Sequence, residues 1–146
     1  MHAVFLDYKT VDANDLDLGS IKAFLPEIMI YSFSNEEEVL TRIEDAEVAI
    51  ANKVVFDANV FARATKLKLI CVTATGTNNI DLEAAKQSGI VVCNIRDYCT
   101  DSVVQHVLLS ILTLKHSSRD YSASMENGDW QEGSSFSLLQ HPIAEL

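Results

Sequence analysis

Short apolar runs alternate with helix-like segments along most of this chain, and that alternation constrains the fold more than any other feature. Ala3 to Leu6, Glu27 to Ser32, Val48 to Ala51, Leu67 to Val72 and Ile90 to Asn94 are each short and rich in β-branched residues or leucine. Such runs suit strands buried on both faces, where side chains need not alternate between core and water. Between them lie Asp15 to Leu25, Asn35 to Ile43, Asp57 to Ala64 and Asp81 to Ser88, which read as helices. Strands alternating with helices build βαβ units, so the expected class is α/β with an open parallel sheet.

Local punctuation agrees. Ser34 precedes Glu36, Glu37 and Glu38, placing carboxylates in a first turn, where the helix dipole favours them. Asp81 reads as an N-cap. Gly89 reads as a left-handed residue closing the same helix, with Ile90 as the hydrophobic contact. After Asp101 the pattern changes: Val103, Val104, Val107, Leu108, Leu109, Ile111, Leu112 and Leu114 cover more than one helix face. One long helix is expected, running to about Met125 and buried on more than one side. Ser102 and Gln105 fit a capping box, and Thr100 is an equal candidate for the cap. ENGDWQEGSSF, with its Gly, Ser and acidic residues, reads as loop.

Nearly half of the residues are hydrophobic (48%) and the net charge is -10, the balance of a soluble globular chain without a basic patch to face nucleic-acid phosphates. Cys71, Cys93 and Cys99 form no CxxC pair and are expected as reduced thiols in a cytoplasmic protein; a Cys71–Cys93 disulfide stays open as an alternative, though nothing asks for one. His2, His106, His116 and His141 lack zinc-ligand spacing, so no metal is expected. The first residues read as no signal peptide, and the apolar stretch from Val103 to Leu114 is too short to span a bilayer.

Ligands of open parallel sheets bind beyond the carboxyl ends of the strands. The residues there are Asp7 and Tyr8, then Asn52 and Lys53, then Thr73 to Asn79, then Ile95 to Thr100. Around Thr75, Gly76 and Thr77, successive N–H groups can form a concave anion site, and a small carboxylate suits it. Gly76 is open to a conformation closed to other residues, and a plain tight turn explains it equally well. Lys53 can steer a carboxylate or simply be solvated. Asn52 can bond a carboxylate or make an Asx-turn. Thr100 sits where phosphates are often held, or caps the helix. Nothing in the sequence lowers the pKa of Cys99, so no nucleophile is expected there.

The run TATGTNNIDLEAAKQSGIVVCNIRDYCTDSVVQH, Thr73 to His106, resembles the G-x-G-x-D-x-I-D-x-x-A-A-x-x-x-G-I-x-V-x-N … S-V-A-E-H signature of the D-isomer-specific 2-hydroxyacid dehydrogenases. NKVVFDANV resembles the substrate loop of the glycerate dehydrogenase (hydroxypyruvate reductase) branch, and WQEG is similar to a family G-x-W segment. The chain departs at Ala74, Asn78 and Val104-Gln105, where Gly, Asp and Ala-Glu are usual. The resemblance implies a flavodoxin-like sheet of order 2-1-3-4-5 over residues 1–100. A long interdomain and dimerisation helix would follow over 101–126, then a loop over 127–146 leading to an NAD-binding domain. It implies that Asn52, Lys53 and Val54 flank the substrate, that the backbone at Thr75 and Gly76 holds its carboxylate, and that Thr100 touches the cofactor.

It further implies a small 2-hydroxy or 2-keto acid as substrate, NAD or NADP in the parent enzyme, and a homodimer through the long helix. The glycines at 19, 76, 89, 128 and 133 lack G-x-G-x-x-G spacing. The family's catalytic Arg, acid and His fall beyond HPIAEL. The chain is therefore expected to be a truncated or proteolysed substrate domain, with no catalytic residue, no tightly bound cofactor and no activity alone. Two other readings stand beside it. One is a binding or dimerisation module like the corepressor relatives. The other is a degenerate phospho-receiver domain, for which Asn52, a lone Asp7 and Arg96 are poor substitutes for the residues required.

Overall fold

The computed structural model describes residues 1–133. The chain divides into two compact units, Met1–Asp97 and Tyr98–Leu146. In the first, β1 (Ala3–Phe5), β2 (Met29–Ile30), β3 (Val48–Ala51), β4 (Leu69–Val72) and β5 (Val91–Cys93) form one sheet in the order β2-β1-β3-β4-β5. All four pairings are parallel. The flavodoxin-like order expected from the resemblance is thus observed.

Period-two geometry sorts the strand residues onto two faces. Val4, Ala49, Ile70 and Val92 are register partners in one row. They pack in the main hydrophobic cluster with Val39 and Ile43 of α2 (Glu36–Ile43), Val60 and Phe61 of α3 (Ala58–Arg63) and Ala85 of α4 (Leu82–Gln87), while α1 (Gly19–Phe24) buries no residue. The central strands are buried on both faces, which explains their unbroken apolar runs.

The caps explain where these helices start. Asn35, not Ser34, caps α2, and it forms a capping box with Glu38. Such a cap is worth about 1 kcal/mol. Ser34 instead bonds the Leu6 carbonyl and receives Arg42, tying α2 to the end of β1. Asp57 and Asp81 accept from the third residue of α3 and α4. Gly89 takes the left-handed conformation expected of it, with φ +72°. The first helix begins at Gly19 rather than Asp15. The Asp12 carboxylate accepts from the N–H groups of Asn14, Asp15 and Leu16, so a side chain has captured donors that a helix would need.

In the second unit the single long helix gives way to α5 (Thr100–Lys115), α6 (Ser118–Glu126) and α7 (Asp129–Glu132). Ser117, at φ 48°, is left-handed and separates the first two. The residue ahead of α5 is Cys99, and no side chain caps it. The expected capping box is absent because Ser102 lies inside the first turn and donates to the Cys99 carbonyl. Val103, Val104, Val107 and Leu108 to Leu114 are not buried, contrary to the expectation from their apolar spread. Among the described residues no helix is long and apolar enough to cross a membrane. His141 and the HPIAEL segment lie outside the described residues.

Candidate functional site

The carboxyl ends of β1 and β3 meet at one buried carboxylate. Asp7, just beyond β1, is 3% exposed. Its Oδ1 accepts from the Asn52 N–H at 2.9 Å, and its Oδ2 from the Lys53 and Val54 N–H groups at 2.6 and 3.2 Å. Three successive amides pointing into one hollow make an anion nest. Here the anion is internal, so the loop after β3 is fixed to the end of β1. Thr10 bonds the Asp7 carbonyl and receives the Asn52 side-chain amide at 3.0 Å.

A second clasp joins the loops after β3 and β4. The Asn79 amide donates to the Val54 carbonyl at 2.7 Å and more weakly to that of Asn52 at 3.4 Å. The Phe56 N–H donates to the Asn79 carbonyl, and the Asp81 N–H returns to Phe56. The residues flagged from sequence therefore split by role. Asn52 is nearly buried with its amide committed to Thr10, and the Val54 side chain belongs to the hydrophobic cluster. Only their backbone faces the loop. The Lys53 side chain is exposed while its N–H holds Asp7.

Thr75 and Gly76 are exposed. The Ala74 and Thr75 carbonyls are taken by the Ile95 N–H at 3.1 Å and the Asn94 amide at 2.7 Å. The N–H groups of Thr75, Gly76 and Thr77 have no acceptor among the described residues. Fixed carbonyls and open N–H groups leave a short row of donors for an anionic ligand. Gly76 does not supply a left-handed turn, since only Gly89 and Gly128 have positive φ among the glycines. What it supplies is space: a Cβ there would lie 3.1 Å from the Asn78 Oδ1. The start of α4 adds little, because Asp81 already caps it. Thr100 is exposed at the first position of α5.

A broad groove of about 740 Å³ lies between the start of α2 and α3. It meets this site only at Lys53 and Val54, and Glu36, Glu37 and Asp57 also line it. That acidic lining repels a carboxylate, so the Thr75–Thr77 loop is the better seat for one. Nor does the nest of successive amides at residues 52–54 fit the pyrophosphate of a dinucleotide: Asp7 fills it, and its charge would oppose a phosphate. The same engagement leaves Asp7 poorly placed for the receiver-domain reading, whose acids must be open to a cation. Sequence reasoning placed Asp7 and Asn79 beyond strand ends but assigned neither a role in the site. The only signal for Asp7 was its place directly after a strand.

The sheet order agrees with comparisons to known proteins. The family model for the catalytic domain of D-isomer specific 2-hydroxyacid dehydrogenases matches residues 4–136. A glycerate dehydrogenase of Methylorubrum extorquens is 35% identical over 98% of this chain and 45% of its own length. A hydroxypyruvate reductase of Blautia hydrogenotrophica is 32% identical over 100% of the chain and 46% of its own. The chain thus spans under half the length of these curated relatives. In fold it resembles an NAD-dependent formate dehydrogenase from Staphylococcus aureus, solved in complex with NAD, at a TM-score of 0.70 and 24% identity over 97% of this chain and 47% of the other. The sheet order and the match over nearly all of its length place this chain in the D-isomer specific 2-hydroxyacid dehydrogenase family.

Proposed function

We propose that this chain is the substrate-holding part of a nicotinamide-dependent 2-hydroxyacid oxidoreductase of the glycerate and hydroxypyruvate class. The observation that carries the reading is the Thr75–Gly76–Thr77 loop, with the Thr75 and Thr77 carbonyls occupied and its N–H groups open. Two such amides hold the substrate carboxylate by charge-assisted bonds, each worth about 1.5–3 kcal/mol. Lys53 adds a mobile cation from the neighbouring loop. The Asp7 and Asn79 clasps fix the two loops relative to each other, so the acid meets a preformed seat and little ordering entropy is lost on binding. Thr100 is assigned a contact with the cofactor through its match to the family signature.

A nicotinamide supplies the hydride in this chemistry, and a general acid protonates the carbonyl oxygen. Neither role falls to the residues of the loop, whose part is to hold and orient the acid. The chain alone is expected to bind the acid without turning it over. The test has two arms. Glycerate or hydroxypyruvate titrated into the labelled chain should shift the amide resonances of residues 75–77, and Lys53→Ala should weaken the binding without loss of fold. Unmoved resonances at millimolar acid would sink the carboxylate seat. Consumption of NADH by this polypeptide with hydroxypyruvate would sink its expected inactivity.

The exposed apolar residues of α5, including Leu109 at 62% and Leu114 at 82%, favour a second reading as a dimerisation module. Homodimers through that helix fit both readings. A strictly monomeric profile in light scattering counts against the pairing.

A further inference from the structure

The Cys71 and Cys93 thiols take no part in the carboxylate seat, and the strand register sets them side by side. They are Cα partners on β4 and β5. Register partners on parallel strands project to the same face of a sheet. These two end the row Ile30, Phe5, Ile50, Cys71, Cys93, which crosses all five strands. No residue of that row belongs to the cluster under α2, α3 and α4, so the thiols lie on the opposite face. Phe5 and Ile50 are buried, Cys71 is half-buried and Cys93 is exposed. Both cysteines are free.

Two outcomes compete for such a pair. A disulfide needs Cβ atoms roughly 3.5–4.5 Å apart. Adjacent parallel strands lie about 4.8 Å apart, and the Cβ atoms of register partners keep about that spacing. Closing the bond would draw the edge strand inward against its own ladder. A metal ion held by both sulfurs requires no such movement, since two metal–sulfur bonds of about 2.3 Å in line span about 4.6 Å. The surroundings select the ion. The adjacent row on this face is Val48, Leu69 and Val91, all apolar. Among the described residues no group of three or more His, Cys, Asp or Glu is placed to hold a metal. Zinc wants four ligands, and calcium or magnesium wants oxygen. Two thiolates with no nitrogen or oxygen ligand beside them suit a soft ion of low coordination number.

We propose that Cys71 and Cys93 form a two-coordinate bis-thiolate site for one soft monovalent cation of the copper(I) class. Each thiol releases its proton as the metal–sulfur bond forms, so one cation replaces two protons and no electron is transferred. The site stands independently of the carboxylate reading. It lies at the root of that loop, because Asn94, next to Cys93, holds the Thr75 carbonyl.

The test titrates the reduced chain without oxygen, using copper(I) held by a competing chromogenic chelator, and silver(I) as a redox-inert counterpart. One equivalent should bind, with a near-ultraviolet thiolate-to-metal band. X-ray absorption on the unmutated chain should count two sulfur neighbours and no nitrogen or oxygen. Cys93→Ser, at an exposed edge-strand position, and Cys71→Ser should each weaken binding by about 10²–10⁴-fold, the loss expected when one of two linked ligands is removed. Cys99→Ser should leave affinity unchanged. Three or more ligands per ion, affinity that survives Cys93→Ser, or a requirement for Cys99 would overturn the site. Closure of a Cys71–Cys93 disulfide by a mild thiol oxidant, in a chain that takes up no metal when reduced, would overturn it too.

Discussion

Replacing Asp7 by Asn tests whether one buried carboxylate sets the shape of the site. Asn keeps the size and removes the charge. In the native chain the two carboxylate oxygens serve the amides of Asn52, Lys53 and Val54 at 2.9, 2.6 and 3.2 Å. Asn offers one carbonyl oxygen and turns an NH₂ toward the remaining donors, so at least one buried N–H loses its acceptor. That costs about 1–3 kcal/mol, and the bonds that survive lose their charge assistance, roughly half their strength. Removing the carboxylate also removes its desolvation penalty, but the backbone amides stay and must still be satisfied, so the offset is partial. The net expectation is a loss of about 2–4 kcal/mol. Urea unfolding followed by circular dichroism reads it directly. With an m-value of about 2 kcal/mol/M the midpoint falls by about 1–2 M. Hydrogen exchange at the amides of residues 52–54 should quicken in step. Asp7→Ala should regain part of its loss in formate, which can occupy the emptied nest. A change under about 0.5 kcal/mol, with unaltered exchange at 52–54, would refute the claim that Asp7 holds the loop.

Other perturbations probe the rest of the frame. Asn79→Ala removes the amide that bonds Val54 at 2.7 Å, and should cost about 1–2 kcal/mol and weaken glycerate binding. Unchanged stability and affinity would remove Asn79 from the site. Asp12 is held at about 2, below the ordinary 3.8, first by its hydrogen bond from Lys9 and against a smaller opposing burial effect. Its folded pKa is depressed, so its contribution to stability is full above about pH 4 and fades as pH falls toward 2. A carboxyl titration by NMR should show that low midpoint, and Lys9→Ala should return it toward 3.8; a native midpoint already near 3.8 would contradict the pairing. Gly89→Ala meets no atom within 4 Å but must adopt φ +72°, so it should cost about 1 kcal/mol from backbone strain alone. A stabilised variant in thermal melts would show that the left-handed cap carries no strain.

Local chemistry accounts for most of the elements that the sequence announces. Val48–Ala51 is recognisable because both of its faces are buried, so its apolar run has no gap. Asp81 and Gly89 are recognisable because a cap is satisfied by its own neighbours. Where a side chain or a single backbone turn competed with the helix pattern, the reading went astray. The first helix starts late because Asp12 holds the amides of Asp15 and Leu16, which the helix pattern claimed. The break at Ser117 leaves no apolar signature, since a serine is compatible with either side of a turn.

The sequence by itself determined the α/β class, the family and the loop from Thr73 to Asn79, because alternation, capping and a signature run are all local in the chain. It left Asn52 and Lys53 as site candidates without saying which atoms matter. The tertiary structure decided that. Asp7 and Asn52 are 45 residues apart in sequence. Only parallel pairing of β1 with β3 brings a lone carboxylate over three backbone amides, and only the register of β4 with β5 makes neighbours of Cys71 and Cys93. Backbone donors have no letter in a sequence, and register is set by the packing of whole strands, so neither could be read before the chain was folded.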